Sequence, residues 1–381
     1  MARIIVGSWM VRYPLGAAMS WVLQYLTGLQ RLGHEVFFVE KALYWGECFD
    51  PEQQIMTNDA SYGLSVVRNV LARIDMQKRI CFVDYDGNYH GLRKNEIEDI
   101  FRSADLFIDM GTHGAWLQEA EKTRIKIFID GDPGFVQMKM EMKRREGKLL
   151  REYDFYFSNG KNIGTPGCTI PTAGIEWLTL YHPVDTALYH PHPAPADGMF
   201  TSIMNWQSFD MVEFEGKQYG NKDIEFPKFM ELPRFTKASL ELAAAGKEVP
   251  EKTLSGYGWH LRNPHQVTIS LDSFIDYVIA SAGEFSVCKH CYVTTSSGWF
   301  SDRSAVYLAL GRPVVMQETG FSRHLPCGNG LFAVNDIEEA VSAFDNILSN
   351  PRHHSKCARE IAEEYLDTTR ILQSSLNKIG L

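Results

Sequence analysis

Residues 3–40 read RIIVGSWMVRYPLGAAMSWVLQYLTGLQRLGHEVFFVE, and their order of elements decides the fold. An apolar strand at residues 3–6 is followed by a turn-forming loop at residues 7–16. An apolar-periodic helix then runs to Gly33, and a second apolar strand occupies residues 34–40. The succession of strand, loop, helix and strand predicts an α/β domain with a parallel sheet.

The second half of the chain repeats this plan, with strands predicted at residues 200–204 and 313–316. Between the halves, residues 181–198 contain four prolines and cannot continue a helix or a central strand. The fold class we predict is α/β, with two Rossmann-like domains that face a central cleft. Their predicted limits are 1–190 for an acceptor domain, 198–358 for a nucleotide-sugar domain, and 359–381 for a C-terminal helix that packs back on the first domain.

Apolar runs and helical periodicity predict the remaining elements. Gly246 is the predicted stop of one of the helices. The predicted strands are 104–109, 125–130, 153–158 and 283–287, and the predicted helices are 238–245, 273–281, 304–310, 335–348 and 357–379, the last as one helix or two.

Composition restricts the class of protein. The 381 residues are 45% hydrophobic and 22% charged, which is typical of a globular chain, and the net charge is −9. An acidic chain is a poor candidate for a dedicated nucleic-acid binder or for adhesion to an anionic membrane. The sequence shows no signal peptide and no membrane-spanning run, so we expect a cytoplasmic protein.

The seven cysteines have no framework spacing, which indicates reduced thiols. Cys288 and Cys291 form a single CxxC pair without a second pair of ligands. Two small side chains at a strand are the favoured interpretation, ahead of a zinc or redox site.

Two segments carry a resemblance to a known family. Residues 29–36, LQRLGHEV, resemble the helix and strand that open glycosyltransferases of the GT-B fold. Residues 301–315, SDRSAVYLALGRPVV, resemble the nucleotide-sugar helix and following strand of that superfamily. Residues 330–334, 336–340 and 350–351 then follow in the family's order, and bacterial glycosyltransferase family 1 proteins are the most similar group.

The resemblance implies a hexosyltransferase-like enzyme that moves a sugar from a nucleotide diphosphate donor to an acceptor hydroxyl. The donor would be a UDP-, GDP- or dTDP-sugar, the acceptor a small molecule or a glycan, and no separate cofactor is expected. Many retaining members carry a Glu-x7-Glu pair, but Gly298 and Val306 occupy those places here. The contacts to ribose and sugar are then absent or supplied by Asp302, Arg303 or Ser304.

A diphosphate requires fixed positive charge or a helix N-terminus directed at it. Arg303 is the leading candidate, in a helix start that also contains Ser301 and Ser304, although it could be a surface arginine paired with Asp302. Lys222, preceded by Lys217, resembles the Arg-x4-Lys phosphate clamp of related enzymes, although lysines at this spacing are usually solvated.

Further candidates lie on loops after predicted strands. Gly320 and Phe321 follow strand 313–316, where backbone N–H groups could approach phosphate or sugar, unless the segment is a plain turn. Glu318 resembles an acidic residue that meets sugar hydroxyls in some inverting relatives, with an exposed loop carboxylate as the alternative. Trp259 could stack on the nucleobase, or it could be a core residue.

A general base would sit in the first domain, on the loops after two buried strands. The candidates are His113, Asp109, Asp130 and Asp132, each of which could instead cap a turn. Asp130-Gly131-Asp132 also resembles the metal motif of the GT-A fold. Because two doubly wound halves are predicted here, we treat that as coincidence and expect no essential metal.

Three other functions remain open at this point. A sugar-nucleotide epimerase on the same fold would turn over its substrate without an acceptor. A non-catalytic sugar-nucleotide sensor or scaffold is suggested by the missing glutamate pair. A glycosyltransferase acting on nucleic acid is disfavoured by the acidic charge. The sequence does not indicate the oligomeric state.

Overall fold

Two parallel sheets organise the computed structural model, which describes residues 1–195 and 197–381. Residue 196 of the predicted linker lies outside the described residues. The predicted fold class is confirmed, because each sheet belongs to its own half of the chain and has helices on its faces. Within the described residues, no helix has the length and apolar character needed to cross a membrane.

The first sheet has eight strands in the order β10-β9-β8-β7-β1-β2-β5-β6, of which only β6 is antiparallel to its neighbour. The strands of this half are β1 (Arg3–Gly7), β2 (Glu35–Lys41), β3 (Cys48–Asp50), β4 (Ile55–Thr57), β5 (Ile80–Val83), β6 (Tyr89–Gly91), β7 (Leu106–Asp109), β8 (Ile125–Asp130), β9 (Phe155–Ser158) and β10 (Trp177–Thr179). Its helices are α1 (Gly16–Arg31), α2 (Ser61–Ala72), α3 (Lys94–Ser103) and α4 (Phe135–Arg145).

The second sheet has six parallel strands in the order β15-β14-β11-β16-β17-β18. The strands of this half are β11 (Phe200–Asn205), β12 (Val212–Phe214), β13 (Lys217–Tyr219), β14 (Leu240–Ala245), β15 (His260–Leu261), β16 (Gly283–Ser286), β17 (Val314–Gln317) and β18 (Leu331–Val334). Its helices are α5 (Lys222–Glu225), α6 (Glu251–Tyr257), α7 (Pro264–Thr268), α8 (Leu271–Ile279), α9 (His290–Thr294), α10 (Asp302–Ala309), α11 (Ile337–Ser349) and α12 (Pro351–Ile361), and α13 (Thr368–Lys378) completes the chain.

One sequence prediction about secondary structure is wrong. Residues 238–245 were predicted as a helix because leucine and alanine favour helices, but the structure has β14 there. β14 pairs along its length with β11 and also with β15, so its small alanine side chains lie in a sheet that is covered on both faces. Burial in a parallel sheet therefore overrides the local preference.

Two arginines bind the linker between the halves. Arg312 is fully buried and donates to the carbonyl oxygens of His192, Pro193 and Ile279, at 2.6, 3.1 and 2.6 Å. Arg359 on α12 donates to the carbonyl oxygens of Tyr189 and Thr186, both on the first-half side of the linker, and to that of Ala309 on α10. Because the prolines of the linker cannot join a sheet, these guanidinium groups satisfy carbonyls that strands would otherwise pair.

The chain returns to the first half at its end. Leu372, Leu376 and Ile379 belong to the hydrophobic core around β1 and α1, whereas Ile361 and Leu366 pack in the second half. α13 lies against α1 at Gly28, where a Cβ atom would come within 2.1 Å of Thr368 Oγ1. The chain therefore passes from the second half back to the first after Leu366. The domain limits given above stay a prediction.

We expect Gly28→Ala to lower the free energy of unfolding by about 1–3 kcal/mol, because the added methyl group overpacks the contact with α13. Its Cβ would also lie 2.7 Å from Leu372 Cδ1. Urea denaturation followed by circular dichroism measures the change. The matched control is Gly256→Ala, where no heavy atom lies within 4 Å of the added Cβ, and we expect it to be neutral or stabilising by up to about 1 kcal/mol. Equal effects of the two substitutions would contradict the packing of α13 on α1.

Candidate active site

Each sheet has a point at which the chain reverses its direction of winding. In the second sheet the reversal lies between β11 and β16, and in the first sheet it lies between β1 and β7. Open α/β sheets bind ligands outside the carboxyl ends of the strands at such a point. The loops after β11 and β16 carry Lys222 and Lys289, respectively, which places two cations at the expected site.

Lys222 begins α5 and is buried, with 5% of its surface exposed. Burial and, after it, the positive charge of Arg303 together lower the pKa of its ammonium group to about 7. The sequence had left open a solvated lysine at this position. The structure instead places Lys222 beside Arg303, while Lys217 is exposed on the β12–β13 hairpin.

Arg303 lies in the first turn of α10. The side chain of Ser301 caps this helix and accepts a hydrogen bond from the backbone N–H of Ser304 at 3.5 Å. Arg303 Nε is buried and has no hydrogen-bond partner among the described residues. A buried donor without a partner costs about 1–3 kcal/mol, so the site is complete only when a ligand supplies an acceptor.

Glu284 adds a buried carboxyl group to the same place. It lies on β16, and burial raises its pKa to about 7, although the charges of Arg303 and Lys222 oppose this shift. Its Oε2 atom is buried without a partner. Near neutral pH the two cations of the second half are therefore incompletely balanced by this carboxyl group.

Asp132 bridges the two halves. Its Oδ1 atom accepts hydrogen bonds from Lys289 Nζ at 2.6 Å and from the hydroxyl of Tyr292. Partial burial raises the pKa of this carboxyl, but the Lys289 ammonium group outweighs it and holds the pKa below the usual range. A carboxylate bonded in this way is a weaker proton acceptor than the sequence prediction assumed.

The other two carboxylates predicted as a general base, Asp109 and Asp130, each stabilise the loop that follows their own strand. Asp109 is buried and accepts hydrogen bonds from the backbone N–H groups of Thr112 and Gly114, both at 2.9 Å, and from the hydroxyl of Tyr153 at 2.7 Å. Such a satisfied carboxylate fits the turn-capping alternative. Its neighbour His113 is exposed on that loop, in the left-handed region at φ 54°.

Asp130 is likewise buried at the end of β8. It accepts hydrogen bonds from the side chains of Gln137 and Ser158, each at 2.7 Å, and from the backbone N–H of Asp132 at 2.8 Å. Burial raises its pKa to about 6 in spite of these bonds. Its oxygens are engaged in supporting the loop that presents Asp132.

The predicted loop after β17 is a tight turn. Glu318 Oε1 accepts hydrogen bonds from the backbone N–H groups of Thr319 and Gly320, so the Gly320 N–H is not free for a ligand. Gly320 has φ 94°, and a Cβ there would lie 2.3 Å from Asn162 Nδ2 of the first half. Phe321 is fully buried in the core.

Trp259 is a core residue, as the alternative interpretation held. It is 3% exposed, packs between Phe226 and Phe285, and donates from Nε1 to the Met230 carbonyl at 2.8 Å. No face of the ring is available for stacking on a nucleobase.

The CxxC pair is also structural. Cys288 and Cys291 are both buried, and burial raises the pKa of each thiol to about 12. Over residues 1–195 and 197–381 no group of three or more His, Cys, Asp or Glu side chains is placed to hold a metal ion.

Sequence reasoning missed His182, which the structure places at the junction of the halves. It is 5% exposed, and the charges of Asp132, Asp302 and Arg303 all act on it. No local pattern marks this residue, because it lies in the proline-rich linker and its neighbours come from distant parts of the chain. We call Lys222, Glu284, Arg303, His182 and Asp132 the junction cluster.

Solved structures resemble this chain over its full length, whereas no family model and no curated protein matches it. An alpha-glucosyltransferase in complex with UDP and DNA is 10% identical, with a TM-score of 0.58 and coverage of 100% of this chain and 99% of that one. HepE from Anabaena in complex with UDP-glucose is 12% identical, with a TM-score of 0.54 and 99% of each chain covered. A variant of TarM from S. aureus in complex with fondaparinux, alpha-GlcNAc-glycerol and UDP is 10% identical, with a TM-score of 0.51 and full coverage of both chains. At these identities the likeness establishes the GT-B fold.

We expect Asp132→Asn to lower the free energy of unfolding by about 1 kcal/mol at pH 7, because it leaves the largely buried Lys289 ammonium group without its counter-charge. Since the pKa of Asp132 lies below the usual value of 3.8, its contribution is present above about pH 4 and is lost as the pH falls through the lowered pKa. Urea denaturation of the wild type and of Asp132→Asn at pH 7 and at about pH 3 measures the loss of stability and its dependence on pH.

The matched control for that substitution is Glu360→Gln, which removes the exposed pair with Lys356 and should change stability by less than about 0.5 kcal/mol. If Asp132→Asn has no larger effect than this control at pH 7, the bridge between the halves does not form in solution.

Proposed function

We propose that this protein binds a nucleotide sugar at the junction cluster and transfers the sugar to an acceptor hydroxyl. The observation that carries the proposal is the pair of Lys222 and Arg303, both held at the carboxyl ends of the second-half strands, one buried and the other with its Nε buried and unpartnered. A diphosphate supplies the negative charge and the acceptor oxygens that these groups lack. The N-terminus of α10, capped by Ser301, adds a favourable dipole.

Similar structures support the class of ligand. The three proteins described above were solved with UDP or UDP-glucose, and one of them is named an alpha-glucosyltransferase. Transferred to this chain, the likeness favours a uridine nucleotide among the UDP-, GDP- and dTDP-sugars that the sequence resemblance allows. The acceptor would lie toward the loops after β1 and β7, where the first sheet reverses its winding.

The net charge of the chain bears on the class of acceptor. One similar structure contains DNA, but this chain has a net charge of −9, which opposes binding to a polyanion. We therefore propose a small molecule or glycan as the acceptor. Release of nucleoside diphosphate that depends on an added acceptor would support sugar transfer. Release without an acceptor would favour an epimerase or hydrolase. Tight binding of the nucleotide sugar without release would favour a sensor.

We expect Arg303→Ala to weaken binding of UDP about 10- to 100-fold and binding of uridine less than about twofold. The substitution removes a charge-assisted hydrogen bond to phosphate, worth about 1.5–3 kcal/mol, which the nucleoside never makes. Isothermal titration calorimetry measures both affinities. Arg102→Ala, which removes an exposed arginine of α3 paired with Asp99, is the control and should leave both unchanged. Equal losses for UDP and uridine would show that Arg303 does not contact phosphate.

We also expect binding of UDP to take up protons, about half a proton at pH 7 and close to one between about pH 8 and 9. The free protein holds the pKa of Lys222 at about 7, and a neighbouring diphosphate favours the charged ammonium form and raises it. The affinity for UDP should then fall as the pH rises above 7, by up to about tenfold per pH unit. Calorimetry in buffers of different ionisation enthalpy counts the protons directly.

Glu284, whose pKa is also about 7, takes up a proton beside an anion as well, so the test is made in a Glu284→Gln background. There Lys222→Met should abolish the proton uptake, and Lys252→Met, at an exposed lysine of α6, should preserve it. Uptake that persists when both Glu284→Gln and Lys222→Met are present would remove Lys222 from the proposed phosphate site.

A further inference from the structure

His182 lies at the junction of the two halves, near the start of the proline-rich linker and three residues after the end of β10. Its ring packs edge-on against Trp21 of α1, with centroids 6.2 Å apart and an interplanar angle of 84°. On another side it approaches the loop after β8, since a Cβ at Gly131 would lie 3.8 Å from His182 Cε1. The imidazole thus lies near α1 and the loop after β8 of the first half, where the charges of Asp302 and Arg303 in the first turn of α10 act on it.

The hydrogen-bonding capacity of this histidine is unused. His182 Nδ1 is buried and has no partner among the described residues, and the same holds for Nε1 of the adjacent Trp21. Most buried polar side-chain atoms in proteins have a partner, because leaving one unpaired costs about 1–3 kcal/mol. Two neighbouring unpaired ring nitrogens, next to Arg303 with its unpaired Nε, indicate a place where a polar substrate completes the hydrogen bonds.

The charged groups around His182 set its protonation state. Burial lowers the pKa of the imidazole, and Arg303 on α10 lowers it as well. Asp302 on α10 and Asp132 on the loop after β8 act in the opposite direction, and α1 presents only the uncharged Trp21. The net effect is a pKa below 6.5, so the ring is neutral near pH 7 and able to accept a proton.

We propose that His182 is the proton acceptor of the transfer reaction. This inference rests on the proposed function. As the acceptor oxygen bonds to the anomeric carbon, the bond from that carbon to the diphosphate oxygen breaks, and its electron pair leaves with the nucleoside diphosphate. The proton of the acceptor hydroxyl moves to a ring nitrogen of His182 and then to solvent.

Its position separates His182 from the other acid–base candidates. Asp109 and Asp130 are engaged by backbone and side-chain donors, and Asp132 is bonded to Lys289 and Tyr292. His113 is exposed on the loop after β7, where the charges of Asp109 and Arg151 act on it. Among these candidates, His182 combines an unpaired buried nitrogen with a position where charges from both halves, Asp132 and Arg303, act on it.

The test compares His182→Gln and His182→Ala with the wild-type protein, using a UDP-sugar and an acceptor that supports turnover. Both variants should lower kcat about 10²- to 10⁴-fold while changing the affinity for UDP less than about threefold. Added imidazole should restore part of the turnover of His182→Ala. In the wild type, kcat/KM should fall as the pH is lowered, with an apparent pKa below 6.5, and this limb should be missing in the variants. His260→Gln, at an exposed histidine of β15, is the control and should behave as the wild type.

The outcomes are distinguishable. Wild-type turnover together with near-normal kcat in folded His182 variants would overturn the role of His182 and leave the proposed function intact. If the variants failed to fold, a wild-type kcat/KM with no acid limb at any pH below 6.5 at which the protein stays folded would overturn it. Absence of UDP binding and of diphosphate release in the wild type would overturn the proposed function, and the role of His182 with it.

Discussion

The arrangement of the molecule depends on the binding of linker carbonyls by Arg312 and Arg359. Prolines in the linker prevent it from pairing with either sheet, so its carbonyl groups need donors from elsewhere. Arg312, which precedes β17, and Arg359 on α12 supply five hydrogen bonds to carbonyls of the linker and of the elements beside it, together with one to Ala309 on α10. Both arginines belong to the second half, so they hold the end of the first half against it. This fixes the position of His182 relative to α10.

Burial of the Lys222 ammonium group at the junction involves a larger free energy than any exposed ion pair on the surface. The fall of the pKa of Lys222 from 10.5 to about 7 corresponds to about 5 kcal/mol between its two protonation states. An exposed pair such as Arg73–Asp272 contributes at most about 1 kcal/mol. The ligand-free protein thus holds a cation in an environment that favours its neutral form. An anionic ligand reverses this preference, so the binding energy of a diphosphate includes relief of that cost.

The sequence predicted the fold well where a local signal existed. Strands buried on both faces and amphipathic helices can be predicted from residues that are adjacent in the sequence. The prediction was wrong for β14, because an alanine-rich strand has the composition of a helix and only its pairing with neighbouring strands distinguishes the two. Arg303 and Lys222 were found through the resemblance to a family. Lys289 and His182 could not be found in this way, because their importance lies in contacts such as that between Lys289 and Asp132, 157 residues apart. Such pairs depend on how the halves meet, which no local pattern encodes.

Gly298 and Val306 occupy the positions of the glutamate pair that many retaining relatives carry, and neither position has room for a carboxylate. Gly298 takes φ 74°, and a Cβ there would lie 2.8 Å from Asn162 Cγ. Asn162 comes from the first half, and its side chain donates to the carbonyls of Ser296 and Gly320. Val306, the second position, is buried in the core. A carboxylate fits at neither place without displacing Asn162 or core packing. We therefore expect recognition of the transferred sugar to come from the side of the junction where Trp21 and His182 have unpaired ring nitrogens.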